Sequence, residues 1–216
     1  MPFDIEYARA ILPLLLKASI ITIEATFVSM FVALIGGLIL ALALRSHLRL
    51  ISWPIWAVAQ FIRSTPLLIQ IYFLFFVLPD FGITLPPFTT GVIALGIHYS
   101  CYIAEVYRAG LESVPKGQWE AAVALNYSRA RAMAEIILPQ ALPPMVPVLT
   151  NYMIVMFKDT PILASITVIE LMQTANIIAS ERFLYVEPMT LVGLIFLAMS
   201  LIASAGVRIL EGRLAR

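Results

Sequence analysis

Residues 105–140 read EVYRAGLESVPKGQWEAAVALNYSRARAMAEIILPQ, from Glu105 to Gln140. This is the longest run that does not itself resemble a membrane span, and apolar segments flank it on both sides. It carries Arg108, Lys116, Arg129 and Arg131 against Glu105, Glu112, Glu120 and Glu135. Pro115 precedes a helix over about Gly117 to Leu125. Glu120 lies in its first turn, where the helix dipole favours a carboxylate. Ala121, Ala122 and Ala124 are strong helix formers, small enough for a partner surface to come close. Asn126 follows, the best substitute for glycine at a left-handed helix stop. Ser128 caps a second helix, Arg129 to Leu138, on which Arg131 and Glu135 are spaced to pair. Pro139 leads into the next apolar run. A helix, a sharp turn and another helix held in water are the form either of a docking element or of an ordinary solvated loop with some helix.

The rest of the chain sets the context. Its 216 residues are 61% hydrophobic and 12% charged, where a soluble domain carries about 25% charge. Mean hydropathy is +0.95, and several runs approach the ~20 apolar residues that cross a bilayer. The expectation is an all-α integral membrane protein, residues 1–216 forming a single membrane domain with its docking loop at about 108–139. A net charge of +1 gives no case for nucleic acid. One cysteine, Cys101, and two distant histidines, His47 and His98, leave no disulfide framework and no metal spacing. No nucleophile–base pair or paired carboxylates stand at matching depth, so no catalytic residues are assigned and an enzyme is not expected. Asp4 and Glu6 stand where a signal peptide would be basic, so the first segment is expected to stay in the mature protein.

Five spans are expected. Met1 to Lys17 reads as a short interfacial lead-in interrupted by Pro13, and Ala18 to Leu44 as the first span. Glu24 falls near one end of that span, where it either snorkels to the interface or serves a solute path. The second span runs to Pro79. The 13 residues after Pro66 reach only about 20 Å, so the helix is expected to start earlier, with Trp53 and Trp56 at an interfacial elbow. Arg63, Ser64, Thr65 and Pro66 then lie at the membrane's inner edge or in a bend. Gln70, well inside, either bonds a neighbouring helix or faces a path. The third span is Phe88 to about Val106, with His98 as a packing residue. The fourth is Ala141 to Phe157, bent or irregular at Pro143, Pro144 and Pro147, each of which removes a backbone donor. Pro161, with Asp159 or Thr160 as N-cap, starts a short helix to Met172 that is interfacial or re-entrant. Gln173 to Pro188 is polar, and Met189 to Val207 is the fifth span.

Alternating five spans collects Arg45, Arg49, Arg63, Arg108, Lys116, Arg129, Arg131, Arg208, Arg213 and Arg216 on one side, ten of the fourteen basic residues. Positive-inside logic puts that side in the cytoplasm, with the N-terminus outside and the C-terminus cytoplasmic.

Glu120-Ala121-Ala122, followed by Ile136-Ile137-Leu138-Pro139, resembles the "EAA" loop of permease subunits of bacterial ATP-driven (ABC) importers. Arg63-Ser64-Thr65-Pro66, Val114-Pro115-Lys116-Gly117-Gln118-Trp119, Leu138-Pro139-Gln140-Ala141 and Phe157-Lys158-Asp159-Thr160 resemble its polar amino acid uptake subfamily. Asn126, where that family usually has glycine, and Pro161, where it often has serine, look more like the ectoine and hydroxyectoine branch. The resemblance implies the type I permease fold in the bacterial inner membrane. It implies two ATPase subunits below, a second permease subunit beside, identical or paralogous, and a periplasmic or lipid-tethered binding protein above. ATPase coupling falls to Gly117, Glu120, Ala121, Ala122, Asn126, Leu138 and Pro139. Gln70, Lys158, Asp159, Thr160 and Glu24 are the candidates for the solute path. The chain has no phosphate-binding loop of the form G-x-x-x-x-G-K-[ST]. ATP is therefore expected on a partner, with no cofactor on this chain. The rival reading is an ion-coupled secondary transporter, for which only Glu24 and His98 could relay a proton.

Overall fold

The computed structural model describes residues 3–214. Met1, Pro2, Ala215 and Arg216, the last basic residue of the tail among them, lie outside the described residues. Every regular element among the described residues is helical.

Helix α1 runs unbroken from Ile5 to Leu44, 40 residues and about 60 Å. The expected lead-in ending at Lys17 is therefore part of the first helix. Asp4 caps it by accepting from the Tyr7 N–H, and Pro13 sits inside it without ending it. The missing bond is offset by packing: Tyr7, Ile11 and Leu15 join Leu171, Ala175, Ile178, Val192 and Ile195 in one apolar cluster.

After a short basic link, α2 (Arg49–Ser64) meets α3 (Leu67–Tyr72), which widens into a π turn at Phe73–Val77 and then tightens into a 3-10 turn at Leu78–Phe81. The two arms are bent by 108° at Thr65–Pro66. The bend is thus the one of the two expected readings of Arg63–Pro66 that the fold takes, and it is sharp enough to split the second span into two helices, because the residue before a proline is driven out of the helical region; Thr65 has ψ 143°. Helix α4 (Pro87–Glu112) then returns, six residues past the expected end at Val106.

Helix α5 (Lys116–Ala124) ends in a complete Schellman turn. Asn126 has φ 57°; its N–H bonds the Val123 carbonyl at 2.9 Å, and the Tyr127 N–H bonds the Ala122 carbonyl at 3.0 Å. Ser128 accepts from the Arg131 N–H and starts α6 (Arg129–Ala132). That second arm does not stop at Leu138. It passes through a π turn, Met133–Ile137, straight into α7 (Leu138–Asp159). The Leu138 N–H reaches back to the Met133 carbonyl just before Pro139, which has no N–H to donate. The irregularity expected at Pro143, Pro144 and Pro147 thus sits about two turns earlier, and those three prolines lie within regular helix.

Pro161 does not open a new α-helix. Helix α7 tightens into a 3-10 stretch, Thr160–Ile166, that stops at Thr167 with φ 63°. Helix α8 (Leu171–Arg182) follows, capped by the Glu170 side chain, where a polar stretch was expected from Gln173. Helix α9 (Val186–Leu214) closes the fold.

By length and apolar character three helices can cross a membrane: Ile5–Leu44, Arg129–Ile166 and Val186–Ile209. The bent pair at Thr65–Pro66 makes a fourth if counted as one span. Five are not reached on that measure, because α4 is long enough but less apolar. The core explains its composition. Leu95, Tyr99 and Ile103 of α4 are buried with Ala25, Met30 and Ala33 of α1 and with Met156, Leu163 and Ile166 from the α7 side. A helix so wrapped meets side chains where an outer helix meets lipid. Contacts at Val32/Gly96, Gly36/Ser100 and Gly37/Ile103 advance together along both chains, so α1 and α4 run parallel at close range.

Candidate functional site

Two regions concentrate polar chemistry: a face of α4 and the α5 hairpin. On α4, His98, Tyr102, Glu105 and Glu112 recur at helical spacing and share one side. The stripe begins at Gln70. Its amide nitrogen lies 2.7 Å from the Ile62 carbonyl, 3.1 Å from the Thr65 carbonyl and 2.8 Å from the Thr65 hydroxyl, across the corner at Pro66. That nitrogen is fixed as donor, so the amide oxygen faces His98 Nδ1 at 3.1 Å and accepts its proton. Gln70 therefore does both things open to it in the sequence: it bonds a neighbouring helix, and it lies on the polar face.

Beside His98, the Tyr99 hydroxyl donates to Asp159 at 2.5 Å. Tyr102 and Tyr152 stack 5.9 Å apart next to it, so three tyrosines and a histidine wall this level. Below, a groove of about 360 Å³ between α4 and α7 is lined by Tyr102, Glu105, Gly110, Met145 and Tyr152. Glu105 accepts from Arg63 at 3.3 Å and from Arg108 at 2.8 Å, and Arg108 reaches Glu112 at 2.7 Å. Arg63 is also held by the Gln60 side chain at 2.6 Å. A chain of charges thus joins the corner at Pro66 to the C-terminal end of α4, one link before α5.

The sequence candidates separate here. Gln70 and Asp159 join the polar face. Lys158 is exposed. Thr160 is fully buried, its hydroxyl bonded to the Phe157 carbonyl, and belongs to the fold. Glu24 lies exposed on α1 with no hydrogen bond or ion pair among the described residues. Tyr99, Tyr102, Tyr152 and the Arg63–Glu105 pair were not singled out from the sequence. The spacing of His98, Tyr102, Glu105 and Glu112 was the visible signal for the stripe; the partners from α2 and α7 had none.

The hairpin stands on its own small core. Val114 and Ala122 are buried, and Trp119 packs with Ile137, Ala141 and Met145. Ala122 therefore faces inward as an anchor. Glu120, Ala121 and Asn126 are exposed, Gly117 has open space where a side chain would go, and Pro139 is exposed beside half-buried Leu138. Val123 and Leu125 are 72% and 69% exposed, two apolar side chains left largely uncovered among the described residues. Arg131 and Glu135 pair at 2.9 Å as spaced.

Against known families, residues 33–216 match the binding-protein-dependent transport system inner membrane component. The chain belongs to that family. It is a permease component, and permeases of this kind are not themselves enzymes. Over 208 residues it is 43% identical to a probable amino-acid ABC transporter permease protein, y4tG, of Sinorhizobium fredii, with 96% of this chain and 90% of that one covered. The L-cystine transport system permease protein TcyB of Bacillus subtilis is 34% identical over 221 residues, covering 100% of the permease and 92% of TcyB. Among solved structures, an amino acid ABC transporter crystallised with histidines superposes with TM-score 0.93 at 36% identity, covering 99% of the permease and 100% of that chain. The MetNI methionine ABC transporter, at TM-score 0.78 and 18% identity over 96% and 99% of the chains, shares the fold.

Proposed function

We propose that this permease forms, with a second permease subunit, the membrane path of an ATP-driven importer for a polar amino acid. The observation that carries the reading is the continuous polar face from Gln70, His98 and Asp159 down to Glu112, which ends beside a hairpin with uncovered apolar tips. Amino-acid names recur among its relatives, and this favours an amino acid over an ectoine-like zwitterion. In this reading α4 also crosses the membrane and completes the five spans. Its lower apolar character follows from facing protein and solute rather than lipid. The distribution of basic residues supports an orientation with the α5 hairpin and the C-terminus on the cytoplasmic side of the inner membrane and the N-terminus outside.

Two ATPase subunits lie below and hold the ATP. A periplasmic or lipid-tethered binding protein delivers solute from above. The tip of α5, with Glu120, Ala121, Val123 and Leu125, seats on the ATPase; Asn126 holds the turn and Ala122, Leu138 and Pro139 hold the base. Closure of the ATPase on ATP moves the hairpin as a rigid body. The movement reaches α4 through Ser113–Pro115 and the chain of charges at Glu112, Arg108, Glu105 and Arg63. Solute, released at Asp159 and the tyrosine wall, then passes along the stripe.

The test is Glu120→Lys in the complete transporter in vesicles, with a polar amino acid and an ectoine-like solute as separate arms. The expected result is ATP hydrolysis without amino acid uptake. Normal uptake by this variant would overturn the docking role of α5.

A further inference from the structure

A second charged region adjoins the polar stripe at Glu105, Arg108 and Glu112 and extends away from both the path and the hairpin tip. It lies where the inner end of α1 meets α2. Leu44, Leu50, Trp53 and Trp56 border a cavity of about 830 Å³, together with Arg49 and Arg108. A second cavity of about 400 Å³ shares Leu44 and Arg108, and adds Arg45 and Lys116. Four cations, Arg45, Arg49, Arg108 and Lys116, therefore ring this corner. The carboxylates facing it are Glu105 and Glu112, and both are already engaged by Arg108. Arg45 and Arg49 make no ion pair among the described residues and are exposed. The apolar floor is open as well: Leu50 is 90% exposed and Trp53 68%.

We propose that this corner binds the headgroup of an acidic phospholipid from the cytoplasmic leaflet, an inference that rests on the orientation given above. Charge complementarity names the occupant. The cytoplasmic leaflet is the anionic one, and each arginine near it contributes about fivefold in lipid preference. The phosphate lies between Arg45 and Arg49, and the acyl chains lie on Leu50, Trp53 and Trp56. Tryptophan suits that boundary, with an apolar ring and a polar N–H. Lys116, the first residue of α5, borders the same corner, so the bound lipid sits against the base of the hairpin.

The test uses the complete transporter in vesicles of phosphatidylcholine doped with brominated phosphatidylglycerol or, in parallel, brominated phosphatidylcholine. Bromine quenches nearby tryptophan. The expected result is stronger quenching by the acidic lipid at equal mole fraction. That excess should vanish in Trp53→Phe/Trp56→Phe. The preference should fall roughly 25-fold in Arg45→Gln/Arg49→Gln, and inorganic phosphate at constant ionic strength should leave it unchanged. Equal quenching by both lipids would overturn the proposal. So would a preference that survives the arginine changes, which would mean that the second permease subunit or the ATPase covers the corner, or release by inorganic phosphate, which would mean a soluble anion site. The measurement needs no transport: a lost lipid preference with intact uptake sinks this inference alone, and lost uptake with an intact preference sinks the importer reading alone.

Discussion

The Tyr99 hydroxyl donates a 2.5 Å hydrogen bond to the Asp159 carboxylate and so fastens the middle of α4 to the last residue of α7. Asp159 joins the polar face while Tyr99 is buried in the core beside it, and hydrogen bonds to charged groups contribute about 1.5–3 kcal/mol. Tyr99→Phe keeps the ring contacts with Tyr102 and Tyr152 and removes only the donor. The thermal midpoint in detergent should fall, and half-saturation for uptake should change more than the ATPase rate. Unchanged uptake would take Asp159 out of the path.

Gln70 ties the corner at Pro66 through bonds to Ile62 and Thr65 and reaches His98 with its remaining oxygen. Gln70→Leu keeps the volume and leaves the Ile62 and Thr65 carbonyls without that donor. A loss of about 1–3 kcal/mol in stability is expected. Gln70→Glu should do as much harm, because a carboxylate cannot donate to carbonyls. Equal stability of either variant and the parent, measured by denaturation in detergent, would show that the corner is held without Gln70.

Gly37 lets α1 touch α4. A Cβ there would stand 2.6 Å from a methyl of Ile103 and 3.2 Å from the Ala104 backbone nitrogen. The backbone cannot yield as a side-chain tip can. Gly37→Ala should cost about 1–3 kcal/mol by overpacking. Gly117→Ala, in open space, should leave stability within about 0.5 kcal/mol. Thermal denaturation of the two variants side by side checks the contrast.

Thr167 is a β-branched residue at φ 63°, a conformation that costs such residues roughly 1–3 kcal/mol. Thr167→Gly should raise the thermal midpoint. A fall would mean that the exposed Thr167 side chain makes a contact outside this chain.

Glu170 is fully buried and caps α8, accepting from the Met172 and Gln173 N–H groups at 2.9 and 2.8 Å and from the Thr22 hydroxyl at 3.4 Å. Burial pushes its carboxyl up, against the lowering effect of those bonds. The folded protein therefore holds this proton more tightly than the unfolded chain does. The stability contributed by protonated Glu170 is fully present below the ordinary carboxylate value of about 4.3 and is lost as pH rises through the raised value. In Glu170→Gln the amide oxygen still caps α8 and nothing ionises. The stability of wild type relative to this variant should therefore fall as pH climbs through that window, measured as the difference in thermal midpoint. A difference that stays flat with pH would show that Glu170 titrates alike in both states.

The local sequence alone determined the α5 hairpin. Asn126 at the turn, Ser128 as cap and the Arg131–Glu135 pair all depend on groups within five residues of one another, so backbone geometry brings them together wherever the segment goes. The spacing of His98, Tyr102, Glu105 and Glu112 is equally local, although the four were not linked as one stripe from the sequence and His98 was read as a packing residue. Tertiary structure decided what comes from far away. Pro13 remains inside α1 because α8 and α9 pack on it. Thr22 and Glu170 meet across 148 residues, and Arg63 finds Glu105 because the chain turns by 108° at Pro66. The span count divided on the same point. A helix shielded by its neighbours, as α4 is, need not be as apolar as one facing lipid, and only the packed fold shows which helix is shielded. Thus the segment from Glu105 to Gln140 was legible as a hairpin, whereas its base on Ile137, Ala141 and Met145 and the inward turn of Ala122 were set by packing.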